Sequence, residues 1–180
     1  QLLIMRSLTE AMRALILVSA EIMEEAGKEN SKMKLEAFLI PIIKGWCTEL
    51  AQEVTSLGVQ IHGGMGYIEE TGAAQIMRDA RILPIYEGTN AIQANDLMFR
   101  KTLKDSGETA RQILTIIKSD VQSDGEILKS VHKCEEVLDF IGQNKDDKES
   151  LSCVSHDFMM GFGSVSYTHL RAHETQPHLV

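Results

Sequence analysis

The stretch RDARILPIYEGTNAIQ, residues 78 to 93, holds the side chain in this sequence best placed for acid–base chemistry. Glu87 stands between Tyr86 and Gly88, where one helical pattern ends and another begins. The commonplace reading is a solvated carboxylate near a helix N-terminus, which the helix dipole favours. The neighbours point further. Ile82, Leu83, Ile85 and Tyr86 make the approach apolar. Burial raises a carboxylate's pKa and a helix N-terminus lowers it, and a group under such opposing influences suits a general base. Gly88 would then let a bulky molecule reach the backbone beside it.

The second candidate is HGGMGY, residues 62 to 67, with three glycines in four positions. A dinucleotide fingerprint, G-x-G-x-x-G, would need glycines at 64, 66 and 69, but residue 69 is Glu69 and no strand precedes it. Two readings stay open: a turn between helices, or a ledge whose backbone approaches a ligand where side chains would clash. His62 is either an ordinary surface histidine, the commoner case, or a ligand contact. Arg78, Asp79 and Arg81 read as a salt-bridge set that fixes a turn. Near the C-terminus, HExxH fails because His173 and Glu174 are followed by Pro177 and then His178, so no metal site is expected.

These candidates need elements to hold them. Leu8, Met12, Leu15 and Ile22 fall on one face of a helix over residues 2–26. A polar break follows, with Ser31 able to cap a second helical stretch over 32–59. Pro41 predicts a kink or a break there. Residues 62–67 are expected to be a loop, because glycines weaken helix and strand alike. A short helix at 71–81 should stop before Pro84. Another is predicted over 90–103, capped by Thr89 or Asn90 with Gln93 in a capping-box position. Residues 106–121 form a further helix. Ile127, Val131, Cys134, Leu138 and Ile141 make a 3-4-3-4 stripe, and NKDDKES (144–150) is a solvated linker. No period-2 run appears, so the expected fold class is all-α, an antiparallel helix bundle followed by additional helices.

The 180 residues carry a net charge of -8, which argues against a nucleic-acid surface. Cys47, Cys134 and Cys153 are widely spaced, which suits a reducing compartment, and no apolar run reaches transmembrane length. The last seventeen residues, SVSYTHLRAHETQPHLV, break the helical periodicity. The string SYTHLRAHET resembles translated sequencing-adapter read-through, so residues 164–180 are expected to be a non-native tail without structure or function.

QIHGGMGYIEETGAAQIMRDARILPIYEGTNAIQ, residues 60 to 93, closely resembles the C-terminal helical domain of the acyl-CoA dehydrogenase family. It combines the Q-x-x-G-G loop, the R-D-A-R-I turn and the I-Y-E-G-T turn at the family's spacing. Residues 1–103 fit that domain, and residues 104–163 resemble part of the C-terminal extension of one subgroup. That subgroup includes methylmercaptopropionyl-CoA dehydrogenase-like and broad-specificity fatty acyl-CoA dehydrogenases. The resemblance implies an oxidoreductase that uses FAD to dehydrogenate an acyl-CoA thioester between Cα and Cβ. Glu87 would remove the α-proton, and the β-hydrogen would leave as hydride to the flavin. Gln60, Ile61, His62, Gly63 and Gly64 match the loop that holds the adenosine-diphosphate part of FAD across a dimer interface. Thr89, Asn90 and Ala91 match the turn that touches the flavin, and Gly88 and Tyr86 match substrate contacts.

The implied partners are an acyl-CoA substrate, an electron-transfer flavoprotein and further copies of the chain, as a homodimer or homotetramer. The implied location is the bacterial cytoplasm, or the mitochondrial matrix in a eukaryote. The family also has an N-terminal helical domain and a central β-domain. Neither is in this sequence, so the chain alone is expected to be inactive. Two other readings are an acyl-CoA oxidase, and a non-catalytic helical module that binds a partner.

Overall fold

A computed structural model describes residues 1–26, 30–121 and 125–174. The described residues form helices joined by turns, with no strand among them. Helix α1 is Leu2–Ala26 and α2 is Asn30–Ile61. Pro41 does not interrupt α2. The Ser31 side chain, read as a cap, lies outside the described set. After α2 comes one helical turn, α3, Gly64–Tyr67, where a loop was expected. A 3-10 turn at Glu69–Thr71 leads into α4, Ala73–Ala80.

Helix α5, Asn90–Asn95, continues as a wider π-helical turn, Asp96–Thr102, and a 3-10 turn, Leu103–Asp105. Thr89 is the N-cap, accepting from the Ile92 amide at 3.4 Å. Gln93 does not complete a capping box; its side-chain amide points back to Glu87 O at 3.5 Å. Helix α6, Glu108–Asp120, starts after Asp105, whose carboxylate accepts from the Gly107 amide at 3.0 Å and the Thr109 amide at 3.1 Å.

Helix α7 is Gly125–Gln143 and α8 is Lys148–Glu174. In α7 the predicted stripe faces inward: Ile127, Val131, Leu138 and Ile141 are buried and Cys134 is half-buried. The linker is shorter than the composition suggested, because Asp147 caps α8 by accepting from the Ser150 amide at 3.1 Å.

Helices α1, α2, α5, α6, α7 and α8 share one apolar core, in which Phe38, Ile42 and Trp46 of α2 meet Leu97 and Met98 beyond α5 and Met159 and Phe162 of α8. Phe38 and Phe162 meet edge-on, with ring centroids 5.2 Å apart. Residues 104–163 thus pack against residues 1–103. Where no structure was expected from residue 164, helix α8 continues to Glu174; Val165 and Ser166 are buried, and Trp46 Nε1 donates to Ser164 Oγ at 3.2 Å. Gly163 makes this approach feasible, since a Cβ there would lie 2.5 Å from Trp46 Cγ. Residues 175–180 lie outside the described set.

Candidate active site

Glu87 sits on a tight link between α4 and α5. The link is wound by short-range bonds: the Leu83 amide to Ala80 O at 3.1 Å, Ile85 to Ile82 O at 2.9 Å and Tyr86 to Ile82 O at 3.1 Å. The Asn90 amide closes it onto Pro84 O at 3.0 Å. The chain then reverses through two left-handed residues, Glu87 at φ 53° and Gly88 at φ 91°. A glycine takes this conformation freely, but a glutamate loses about 1–2 kcal/mol. Such a conformation persists only where the surroundings enforce it. Among the described residues, the Glu87 amide meets no backbone acceptor.

The enforcement comes from α2. Lys44 Nζ donates to Leu83 O at 2.8 Å and to Asn90 Oδ1 at 3.0 Å, and lies 5.8 Å from the centroid of the Tyr86 ring. Gln52 Nε2 donates to Ala80 O at 2.6 Å, which fixes the end of α4 ahead of the turn rather than the turn itself. Asn90, only 4 % exposed, directs its side-chain amide to Thr48 Oγ1 at 2.9 Å and Glu49 Oε1 at 2.8 Å. Burial pushes Lys44 below the usual lysine range, while the carboxylates of Glu49 and Glu87 act in the opposite direction.

The low-dielectric setting expected for Glu87 is not built by this chain alone. Glu87 is exposed, and Ile82 (54 %) and Tyr86 (46 %) stand out from the surface beside it. The chain supplies one apolar wall around the carboxylate rather than a closed pocket. Of the other residues in this group, Thr89 and Ala91 are exposed and Gly88 is half-buried. Asn90 differs in kind: its side chain is committed to α2, so outward it offers only backbone.

Gln60 to Gly64 form a separate surface at the C-terminal end of α2. Gln60 lies 16 residues beyond Lys44 on the same helix, about 24 Å along the axis. The structure therefore does not bring the two groups together within one chain. Gln60, Ile61, His62, Gly63 and Gly64 are all exposed. His62 Nδ1 lies 2.7 Å from Gly58 O, so with the proton on Nδ1 the ring caps α2. Gly63 has φ 59°, which explains a glycine there. Gly66 is buried, and a Cβ on it would meet Val59 O at 2.2 Å. That close approach is why a helical turn forms in spite of its glycines. Gly64 has neither reason: its φ is not in the left-handed range, and a Cβ would meet nothing within 4 Å.

Two long-range donors were not foreseen: Lys44, which holds the Glu87 turn, and Gln52, which holds the C-terminal end of α4. One signal was available: Lys44 is the only charge between Glu36 and Glu49, in the run AFLIPIIKGWCT. The salt-bridge reading also needs correction. Arg78 pairs with Glu69, at 2.8 and 2.6 Å, rather than with Asp79. This exposed pair joins the start of the 3-10 turn to the end of α4 and holds the Glu69 carboxyl below its usual range.

The helical architecture and these turns belong to a known class. The model of the acyl-CoA dehydrogenase C-terminal domain matches residues 1–101, and the chain belongs to the acyl-CoA dehydrogenase family. The 3-methylmercaptopropionyl-CoA dehydrogenase of Ruegeria pomeroyi is 55 % identical over 133 residues, 71 % of this chain and 22 % of the relative. The broad-specificity linear acyl-CoA dehydrogenase FadE5 of Mycobacterium tuberculosis is 33 % identical over 129 residues, 68 % of this chain and 21 % of the relative. The chain thus spans about a fifth of the length of these curated relatives. The fold also matches the crystal structure of Caenorhabditis elegans ACDH-11 in complex with C11-CoA. The TM-score there is 0.73 at 22 % identity, covering 96 % of this chain and 31 % of that one.

Proposed function

We propose that this chain carries the catalytic base of an FAD-dependent acyl-CoA dehydrogenase, and that Glu87 removes the α-proton of an acyl-CoA thioester. The observation that carries the reading is the Glu87 turn itself. It holds a glutamate at φ 53° on an open apolar wall, with its own amide not given to the backbone. A thioester α-proton becomes acidic only when the developing charge on the carbonyl oxygen is stabilised. The Glu87 amide is a donor suited to that oxygen, and Gly88 presents no side chain that would keep the thioester away. Tyr86, Ile82 and Ile85 would exclude water from one side of the reacting carbons once substrate and the rest of the protein cover the face.

FAD fits the residues present. Gly64 has no reason within this chain to be glycine, and the ledge it forms with Gly63 is open to a group approaching from outside. When bound, FAD supplies the two-electron acceptor for the β-hydrogen. Gln60, Ile61, His62, Gly63 and Gly64 would hold its adenosine-diphosphate part. The exposed Thr89 and Ala91, and the backbone of Asn90, would lie against its ring system. Because the ledge lies about 24 Å along α2 from Lys44, which holds the Glu87 turn, the ledge of one protomer would serve the site of another. This accords with a homodimer or homotetramer. We assign an electron-transfer flavoprotein as the onward acceptor.

The test is anaerobic addition of butyryl-CoA or 3-methylmercaptopropionyl-CoA to the purified full-length protein. The flavin's visible absorbance should bleach, and aerobic turnover without an added acceptor should consume little oxygen. A full-length protein that purifies without flavin, or whose flavin neither thioester bleaches, would overturn the proposal. Rapid oxygen consumption would replace the dehydrogenase with an oxidase.

A further inference from the structure

On the reading that Glu87 is the base, we propose that Lys44 is its positioning residue, holding the Glu87 turn in the reactive conformation from the facing side of α2. Lys44 is half-buried in an otherwise apolar stretch of helix, where an ammonium group needs partners. The partners it has bracket the loop that carries Glu87. Leu83, whose carbonyl takes a bond at 2.8 Å, precedes the loop. Asn90, whose side-chain oxygen takes one at 3.0 Å, ends it. Tyr86, under the ammonium at 5.8 Å, is the residue before the base. One cation therefore fixes the entrance, the middle and the exit of a single turn.

Asn90 can act as the fixed end because α2 holds it elsewhere as well. Its amide donates to Gly45 O at 3.2 Å and to Glu49 Oε1 at 2.8 Å, while its main-chain amide reaches Pro84 O at 3.0 Å. Glu49 in turn lies 3.6 Å from His156 Nε2 of α8. Among the described residues the left-handed Glu87 has no such fastening of its own: its side chain is exposed, and its carbonyl accepts from the Gln93 side-chain amide at 3.5 Å. Its conformation therefore depends on both ends of the loop staying put. The charges that face Lys44 are the carboxylates of Glu49 and Glu87. The cation that sets the loop is thus also within electrostatic reach of the base. Gln52 is a useful contrast. It donates from the same helix to Ala80 O at 2.6 Å, at the end of α4 and before the loop begins.

The experiment uses the full-length flavoprotein, anaerobic stopped-flow bleaching by butyryl-CoA, and rates normalised to bound flavin. Lys44→Met should keep FAD and lower the bleaching rate constant at saturation by about 10- to 100-fold, as small displacements of a reacting group do. The dissociation constant for butyryl-CoA should change by no more than about threefold. Lys44→Arg should recover part of the rate, since it restores a cation that can reach both ends of the loop. Gln52→Leu should lower the melting temperature yet leave the rate per flavin within about twofold. If Lys44→Met does not load flavin, Lys44→Gln decides, with a lowered rate per flavin expected.

A wild-type rate per flavin in the neutral variants, with Glu87→Gln inactive, would overturn the role of Lys44 and leave the base in place. Equal losses in Lys44→Met and Gln52→Leu would reduce Lys44 to a structural latch and also overturn it. Normal bleaching in Glu87→Gln would instead remove the reading on which the inference rests.

Discussion

Gly66 and Gly64 stand two residues apart on one turn, and the structure assigns them opposite kinds of constraint. A Cβ on Gly66 would lie 2.2 Å from Val59 O and 2.9 Å from His62 Cβ. Ordinary carbon–oxygen contact requires the turn to lift off α2 by about 1 Å. The obstructing atom is backbone, so no rotamer change relieves it. Overpacking of this kind costs about 1–3 kcal/mol, partly offset by the roughly 0.5–1 kcal/mol that alanine gains over glycine in a helical position. Gly66→Ala should therefore lose about 1–2 kcal/mol, and a chain of this size loses about 2–4 °C of melting temperature per kcal/mol. At Gly64 an added Cβ meets nothing within 4 Å. Gly64→Val should leave the melting temperature of the 180-residue chain unchanged or slightly raised, because the unfolded chain loses freedom. In the full-length protein the same substitution should strip flavin, because it occupies the ledge the cofactor approaches. The assay is paired: thermal unfolding of the chain, and visible absorbance per polypeptide of the full-length protein. Full flavin occupancy in Gly64→Val, or an undisturbed melting temperature in Gly66→Ala, would refute the reasoning for that residue.

The packing of α8 on α2 gives a second paired test. Gly163→Ala would bring a Cβ within 2.5 Å of Trp46 Cγ, a ring only 2 % exposed, and should cost about 1–3 kcal/mol. Gly161→Ala on the same helix meets nothing within 4 Å and should gain up to about 1 kcal/mol. Denaturation followed by Trp46, the sole tryptophan, reads both, and a stabilising Gly163→Ala would contradict the docking of α8. The thiols give a further prediction. Burial pushes Cys47 up to about 12 and Cys134 up to about 11, with Glu135 assisting in the second case, while Cys153 is exposed. The thiolate is the reacting species, so at mildly alkaline pH a thiol reagent should label Cys153 first. Equal labelling rates at the three cysteines would contradict this packing.

The helices were legible because their apolar residues repeat at helical spacing, as in the inward stripe from Ile127 to Ile141. The Glu87 turn was legible through a local string of residues. What stayed hidden is of two kinds. Close backbone approaches leave no pattern in a sequence: Gly66 read as a helix breaker because Val59 O, which requires it, comes near only after α2 ends and folds back. Long-range polar bonds are hidden for the same reason. Lys44 meets Leu83, 39 residues away, and Asn90, 46 residues away, and only folding shows that the three belong together. The continuation of α8 past residue 164 was hidden because the composition there breaks helical periodicity, although Ser164 accepts from Trp46. Ile82, Ile85 and Tyr86 are exposed rather than buried, because among the described residues none covers that face.

The measurement that tests the central claim most directly is flavin bleaching in the full-length Glu87→Gln protein. The substitution keeps the side chain's size and removes its ability to take a proton. FAD content should match the wild type, and the bleaching rate with butyryl-CoA should fall by about 10²–10⁴-fold, the contribution expected of a positioned base. Bleaching at close to the wild-type rate, with flavin fully bound, would show that Glu87 is not the base and that the proton leaves by another route.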